Sequence, residues 1–246
     1  MPLLYLSPST QEFNLYVTGG TEEEYMNRIA DEMIPYLRAS GITVARNTPD
    51  MTAASSIQDS NVQEVDLHLA LHSNAAPEFL AGTLQGSEVY YSPASYYSRA
   101  AAQIIAAHLQ EIYPNPELVS TIPTTTLGEV VKVRAPGVLI EFAYHDNPED
   151  AAWIQDNVSA IAQNVSQSVA EYFGLPFLEP QAPREGVVNI HWGKLNIREY
   201  PSTSSRILAQ ACDGARLTIW NTYLDWYVVD FGGVMGFAAQ RYISVP

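Results

Sequence analysis

The chain is short of positive charge, of cysteine and of long apolar runs, and each shortage argues against a class of function. Only 12 lysines and arginines stand against 27 acids, a formal net charge of −15 over 246 residues. A nucleic-acid binder needs a basic face to meet phosphates, and a polybasic membrane anchor needs the same sign. Neither is expected, so the partners exclude nucleic acid and membrane. One cysteine, Cys212, leaves no intramolecular disulfide and no cysteine-built zinc site. No apolar run approaches the length of a membrane span. The opening residues MPLLYLSPST have no basic n-region and no long apolar h-region, so no signal peptide is expected and the export route stays open. What remains is 47% hydrophobic and 16% charged, a composition that buries sizeable cores. The length suits one medium domain and a smaller one.

Strands and helices alternate through the first two-thirds. LLYL at 3–6 reads as a short buried strand ending at Ser7–Pro8. Met26, Ile29, Ala30, Met33, Ile34 and Leu37 then recur at helical spacing, with Thr21 placed to cap, Gly41 placed to stop and Pro35 expected to kink. ITVAR at 42–46, DLHLAL at 66–71, GSEVYY at 86–91 and GVLIEFA at 137–143 read as strands, with helices over 97–113 and 151–173. That order implies an α/β fold, a mixed or parallel sheet flanked by helices. LPFLEPQAPREG is proline-rich and reads as a linker, and short β-rich runs from Val187 onward suggest a small all-β barrel. The expected domains are 1–175 and 187–246, joined by 176–186.

Three features of the first domain carry chemistry. DLHLALHSNA places His68 and His72 on one face of a strand. Four residues of strand separate them by roughly 13 Å at about 3.3 Å per residue, too far for one ion to bind both. His72, at the strand's C-terminal end, stands where ligands bind in open α/β sheets, and His68 reads as a core histidine bonded through both nitrogens. Glu141 interrupts the apolar GVLIEFA. Either it pairs with Arg134 or Lys132, or it is a general acid/base whose pKa is lifted by apolar walls. Finally, Glu22, Glu23 and Glu24 open the first helix, where acids suit the macrodipole. Extending the apolar stripe backwards turns Glu22 or Glu23 inward.

Taken in order, LLYLSP, EEYMNRIADEM, GITVARNTPD, LHSNA, GSEVYYSP and PGVLIEFAYHDN resemble the Amidase_3 family of zinc-dependent N-acetylmuramoyl-L-alanine amidases, over residues 3–173. The resemblance implies a carboxypeptidase-like sheet, a Zn2+ cofactor held by His–Glu–His, and hydrolysis of the amide between N-acetylmuramic acid and L-alanine in peptidoglycan. Carried over, His72 is a zinc ligand and Glu141 the catalytic acid/base. The ligand glutamate is Glu23 if Asn27 sets the register, and Glu22 otherwise. The first strand departs from the family at SPSTQEFN, where Thr10 or Gln11 stands in the place of a histidine. Gln11 is then the candidate third ligand, by its carbonyl oxygen, with His145 a possible substitute. Asn74, Tyr144, His145 and Asn147 are candidates for substrate contact. Two competing readings stand beside this one: an impaired peptidoglycan-binding protein, which follows from the departure, and a zinc peptidase acting on stem peptides, on the related carboxypeptidase-like sheet.

The last sixty residues, through LNIREYPSTSSRIL, DGARLTIW, DWYVVDF and MGFAAQRYI, resemble bacterial SH3-type (SH3b) wall-binding domains. At least half of Trp220, Trp226, Tyr227, Phe237 and Tyr242 are expected in its core. Trp192, Tyr200 and Tyr223 are candidates for a ligand groove, because aromatic faces suit peptides and glycans. The resemblance places the site of action at the cell wall, as an autolysin or an endolysin.

Overall fold

The computed structural model describes residues 1–246. Its contacts divide into two compact units: Leu3–Ile34 with Val44–Tyr172, and Phe173–Pro246 with Met1–Pro2 and Pro35–Thr43.

The first unit is built on β1 (Leu3–Pro8), α1 (Glu22–Ala39), β2 (Thr43–Arg46), α2 (Ala53–Val62), β3 (Leu67–Asn74) and β4 (Ser87–Tyr91). It continues with α3 (Tyr96–Ile112), β5 (Val119–Pro123), α4 (Gly128–Val131), β6 (Gly137–Tyr144), α5 (Pro148–Asp156) and α6 (Val158–Tyr172). The six-stranded sheet runs β2-β1-β3-β6-β4-β5. β1, β3 and β6 are mutually parallel, while β4 runs antiparallel to β6 and parallel to β5. This is the mixed sheet expected.

The strand alternation sorts two faces. Leu4, Leu6, Leu67, Leu69, Leu71, Val89, Val138, Ile140 and Phe142 are buried and form the apolar face. The opposite face carries Tyr5 and Ser7, His68, Ala70 and His72, Leu139 and Glu141, and Glu88 and Tyr90 in register across the central strands. α4 lies against this second face, its Val130 packed on Ala70 and Leu139. Two glycine and alanine positions permit that approach. Ala70 is the small residue between the two histidines, and a Cβ on Gly137 would meet the carbonyl oxygens of Glu129 and Val130 at 2.7 Å.

α1 forms as expected: Thr21 Oγ1 accepts from the Glu24 N–H at 3.1 Å, and Gly41 takes φ +86° beyond the helix end. α2 begins in a Thr52–Ser55 capping box. The helix expected over 151–173 is two. Asn157, at φ −120° and ψ 22°, breaks it, and its side-chain amide caps the Trp153 carbonyl at 2.8 Å.

The second unit holds a seven-stranded antiparallel sheet. Its strands are β7 (Arg184–Val188), β8 (Leu195–Arg198), β9 (Ile207–Ala211), β10 (Arg216–Tyr223), β11 (Trp226–Phe231), β12 (Val234–Ala239) and β13 (Ile243–Ser244). β7 starts inside the stretch read as linker. The core is aliphatic, formed by Val188, Leu195, Ile197, Leu217, Ile219, Val229 and Ile243. The expectation of an aromatic core is corrected. Of the five aromatics proposed for it, Phe237 is buried, and Tyr242 is exposed. Strand alternation turns the aliphatic side chains inward, and the half-buried Tyr227 and Phe231 pack against them from the side.

Candidate active site

β3 continues two residues beyond His72, to Asn74, and its pairing with β6 shifts register between those positions. The regular register that runs up to this point places His72 directly beside Glu141, and the antiparallel pairing with β4 places Glu141 directly opposite Glu88. Three polar side chains therefore cross the C-terminal end of the central strands in one row.

Both nitrogens of the buried His72 ring meet carboxylates. Nδ1 lies 2.8 Å from Glu22 Oε1, and Nε2 lies 3.1 Å from Glu129 Oε2. Glu22 belongs to the buried stripe of Met26, Ile29, Ala30 and Met33, and it is 1% exposed. Its other oxygen accepts from Asn14 Nδ2 at 2.6 Å. Burial works against a charge on His72, but the hydrogen bonds it donates to Glu129 and Glu22 outweigh it and push its pKa up to about 10. Glu22 is held below its ordinary range: burial raises it, and His72 overcomes that. Glu129 behaves likewise, held down to about 2 by His68 and His72 against the effect of burial.

Glu141 is the opposite case. Its Oε2 is enclosed and has no hydrogen-bond partner. Burial, followed by the negative charges of Glu22, Glu88 and Glu129, lifts its pKa to about 8, against the pull of His72. The alternative pairing with Arg134 does not form, since that guanidinium bonds the Asn61 carbonyl at 3.2 Å. A carboxyl poised near neutrality, beside an imidazole and with one oxygen free, is equipped to take and return a proton.

Residues 12–171 match the Amidase_3 family, N-acetylmuramoyl-L-alanine amidase. The chain belongs to this family. Residues 193–244 match the bacterial SH3 domain family SH3_3. Among solved structures, the chain is similar to the N-acetylmuramoyl-L-alanine amidase AmiC2 of Nostoc punctiforme, at 14% identity and TM-score 0.62 over 70% of this chain and 97% of that one. The CwlV catalytic domain of Bacillus (Paenibacillus) polymyxa aligns at 16% identity and TM-score 0.62, over 72% and 100%. The catalytic domain of the CD27L endolysin, which targets Clostridia difficile, aligns at 20% identity and TM-score 0.55, over 70% and 97%. These likenesses establish the fold. No curated protein matches the chain by sequence.

Within the Amidase_3 domain, the remaining candidates separate. Glu23 does not reach His72: its Oε1 accepts from Asn27 Nδ2 at 3.1 Å, and Asn27 also bonds the Ser9 carbonyl and Arg46. Glu22 occupies the position beside the histidine. Gln11 does arrive there, its Nε2 3.4 Å from His72 Nδ1 and its Oε1 accepting from Asn14 at 3.2 Å. Thr10 lines the adjoining cleft of about 360 Å³, together with Gln11, Phe13, His72 and Glu129. No three histidine, cysteine, aspartate or glutamate side chains converge as a metal cage. His72 and Glu22 are the two strong donors that meet, with the Gln11 amide beside them.

His145 does not swing toward this pair. Its ring is buried, donates from Nδ1 to the Ser73 carbonyl at 2.9 Å, and stacks on Tyr16 at 5.4 Å. Asn147 caps α5, accepting from the Glu149 and Asp150 N–H groups. Asn74 donates to Glu88 Oε2 at 3.0 Å, and the largely buried Tyr144 hydroxyl lies 3.5 Å from Glu88 Oε1. Of the four residues considered for substrate contact, Asn74 and Tyr144 border the Glu88–Glu141 row.

His68 is a core histidine, bonded through both nitrogens to Ser60 at 3.0 Å and Glu129 at 3.4 Å, and stacked on Tyr5. Although the strand separates His68 from His72, both rings lean onto one carboxylate. Glu129 and Glu88 are the residues that sequence reasoning missed. The signal for Glu129 was an acid inside TLGEVV, an otherwise apolar stretch.

In the SH3 domain, a groove of about 700 Å³ is lined by Trp192, Trp226, Tyr242, Lys194, Arg198 and Arg241, among others. Trp192 is 92% exposed. Tyr200 and Tyr223 do not line it.

Proposed function

We propose that the chain hydrolyses the amide bond between N-acetylmuramic acid and the L-alanine of the stem peptide, with Glu141 as acid/base and zinc as cofactor. The unpartnered, enclosed Oε2 of Glu141 beside His72 carries this reading. The residues present fit a divalent cation. An imidazole and a carboxylate stand 2.8 Å apart, the Gln11 amide lies beside them and would add a third, weaker donor with its oxygen turned over, and Glu88, Glu129 and Glu141 add negative charge around them. His72, Glu22 and Gln11 would hold the ion. When bound, zinc polarises the scissile carbonyl, lowers the pKa of a water toward about 7, and favours the ionised form of Glu141.

The chain's own residues do the rest. Glu141 takes the proton of the attacking water and returns it to the leaving amine of L-alanine. Glu88, opposite Glu141 and bonded by Asn74 and Tyr90, keeps negative charge beside it and raises its proton affinity. Glu22 fixes the His72 ring from one side. The SH3 domain, with its exposed tryptophan, raises the effective concentration of the enzyme at a polymeric substrate. The cell wall is then the place of action and peptidoglycan the partner.

One observation favours a second reading. The amide of Gln11 is a poor substitute for a third imidazole, which suits a wall-binding protein with impaired catalysis. Purified peptidoglycan incubated with the zinc-loaded chain separates the two. Intact stem peptides with new L-alanine amino termini, absent with Glu141→Gln, support the amidase. Binding to the wall without release supports the binder, and free amino acids from stem peptides would indicate a peptidase.

A further inference from the structure

We propose that Glu129 is the positioning residue of this site: it fixes the His72 imidazole with Nδ1 turned to Glu22, and Ser7 and His68 exist here to hold Glu129. The inference rests on the reading of His72 and Glu22 as the metal-holding pair. Glu129 divides its oxygens. Oε1 accepts from Ser7 Oγ at 2.5 Å and meets His68 Nε2 at 3.4 Å, while Oε2 meets His72 Nε2 at 3.1 Å. The residue is 6% exposed and His68 is fully enclosed. Both ring nitrogens face a carboxylate, so each donates a proton in this arrangement; Glu129 keeps the one on Nε2, which leaves Nδ1, beside Glu22, as the ring atom open to a cation. Carboxylate partners of this kind set the tautomer and basicity of metal-binding imidazoles.

The fold is arranged to keep Glu129 there. Its helix has four residues, too few to hold itself by hydrogen bonding alone. It is seated instead by Val130 on Ala70 and Leu139, and by close approach to Gly137, where a Cβ would stand 2.7 Å from the Glu129 carbonyl oxygen. Ser7 and His68 lie on β1 and β3, one on each side, so the carboxylate is gripped by two strands before it reaches His72. A purely structural acid would not need its second oxygen aimed into the cleft that Gln11 and His72 line.

The test uses the full chain and two variants, Glu129→Gln and Glu129→Ala. Zinc affinity is measured by competition with a chromophoric chelator, and the His72 imidazole N–H is followed by proton–nitrogen NMR in metal-free protein. The proposal expects zinc to bind about 10-fold more weakly to Glu129→Gln and up to about 100-fold more weakly to Glu129→Ala. It also expects a slowly exchanging Nε2–H in the wild type that exchanges fast in Glu129→Ala. Variants that fold, bind zinc with wild-type affinity and keep the Nε2–H signal would overturn it, even if they melt at lower temperature. If Glu129→Ala does not fold, the isosteric glutamine variant decides. A wild-type chain that binds no zinc would count against the amidase reading instead, and the imidazole signal would still judge Glu129.

Discussion

Glu141→Gln separates the cost of the carboxyl proposed as acid/base from its use. In the folded, metal-free chain the Glu141 proton is held up to about pH 8, whereas an unperturbed glutamate releases it at 4.5. The native state therefore binds more protons than the unfolded state between those values, and stability falls as pH rises through them. At about 1.4 kcal/mol per pKa unit, the full displacement is worth up to about 5 kcal/mol. Solvent reaches part of the side chain, so about 2–4 kcal/mol is the realistic penalty. Glutamine keeps the shape and never ionises. The variant is thus expected to be inactive yet more stable at about pH 8.5, by roughly 5–15 °C in the melting temperature of the amidase domain, while gaining little near pH 5. Scanning calorimetry of both proteins in a chelating buffer at the two pH values reads this directly. An equal shift at both pH values, or a less stable variant at pH 8.5, would refute the placement of Glu141 as an unpaired, enclosed acid.

The remaining predictions probe its neighbours. Glu22→Gln removes the charged partner of His72 and is expected to weaken zinc binding at least about 10-fold, whereas Glu23→Gln, on the Asn27 side of the helix, leaves it within about 2-fold; chelator competition measures both. Gln11→His places an imidazole beside His72 and Glu22, and zinc affinity should rise at least about 10-fold in the same assay. Gly137→Ala sets a methyl group 2.7 Å from two carbonyl oxygens of α4, so denaturant unfolding should report a loss of about 1–3 kcal/mol. Trp192→Ala is expected to reduce sedimentation with insoluble peptidoglycan while leaving hydrolysis of soluble fragments unchanged.

What the sequence disclosed about this site depended on contrast with the surroundings. His72 and Glu141 stood out because each interrupts an apolar strand, and the α1 stripe of Met26, Ile29 and Met33 pointed back to Glu22 or Glu23 without choosing between them. Asn27 led instead to Glu23, since its amide does bond a glutamate, but that pair looks to Ser9 and Arg46 and not to the histidine. Glu88 was invisible for a different reason. In SEVYY it reads as an ordinary polar residue on a half-buried strand, and its meaning arises only when antiparallel pairing sets it opposite Glu141. Glu129 sits on a helix too short to show any period, and the acid inside TLGEVV did not by itself say that it would close the gap between two histidines. The mixed sheet and the β-rich second domain followed from alternation and turn residues, but the aliphatic core of that domain did not, because pattern alone does not say which apolar side chains turn inward.

The absent first histidine is not a simple gap. Gln11 presents its nitrogen toward His72 Nδ1 and its oxygen to Asn14, and Asn14 Nδ2 also donates to Glu22. For Gln11 to offer oxygen to a cation, the amide must turn over, and its nitrogen would then face the Asn14 amide nitrogen, donor against donor. Asn14 therefore decides whether Gln11 belongs to the hydrogen-bond network around Glu22 or to the metal. Keeping the amide in the network ties Glu22 down and leaves the ion two strong donors; turning it costs that tie and adds a weak third. Either way the site is expected to hold zinc less tightly than a site with two imidazoles. The ring orientation imposed by Glu129 then matters more here, because His72 is the one imidazole left to bind.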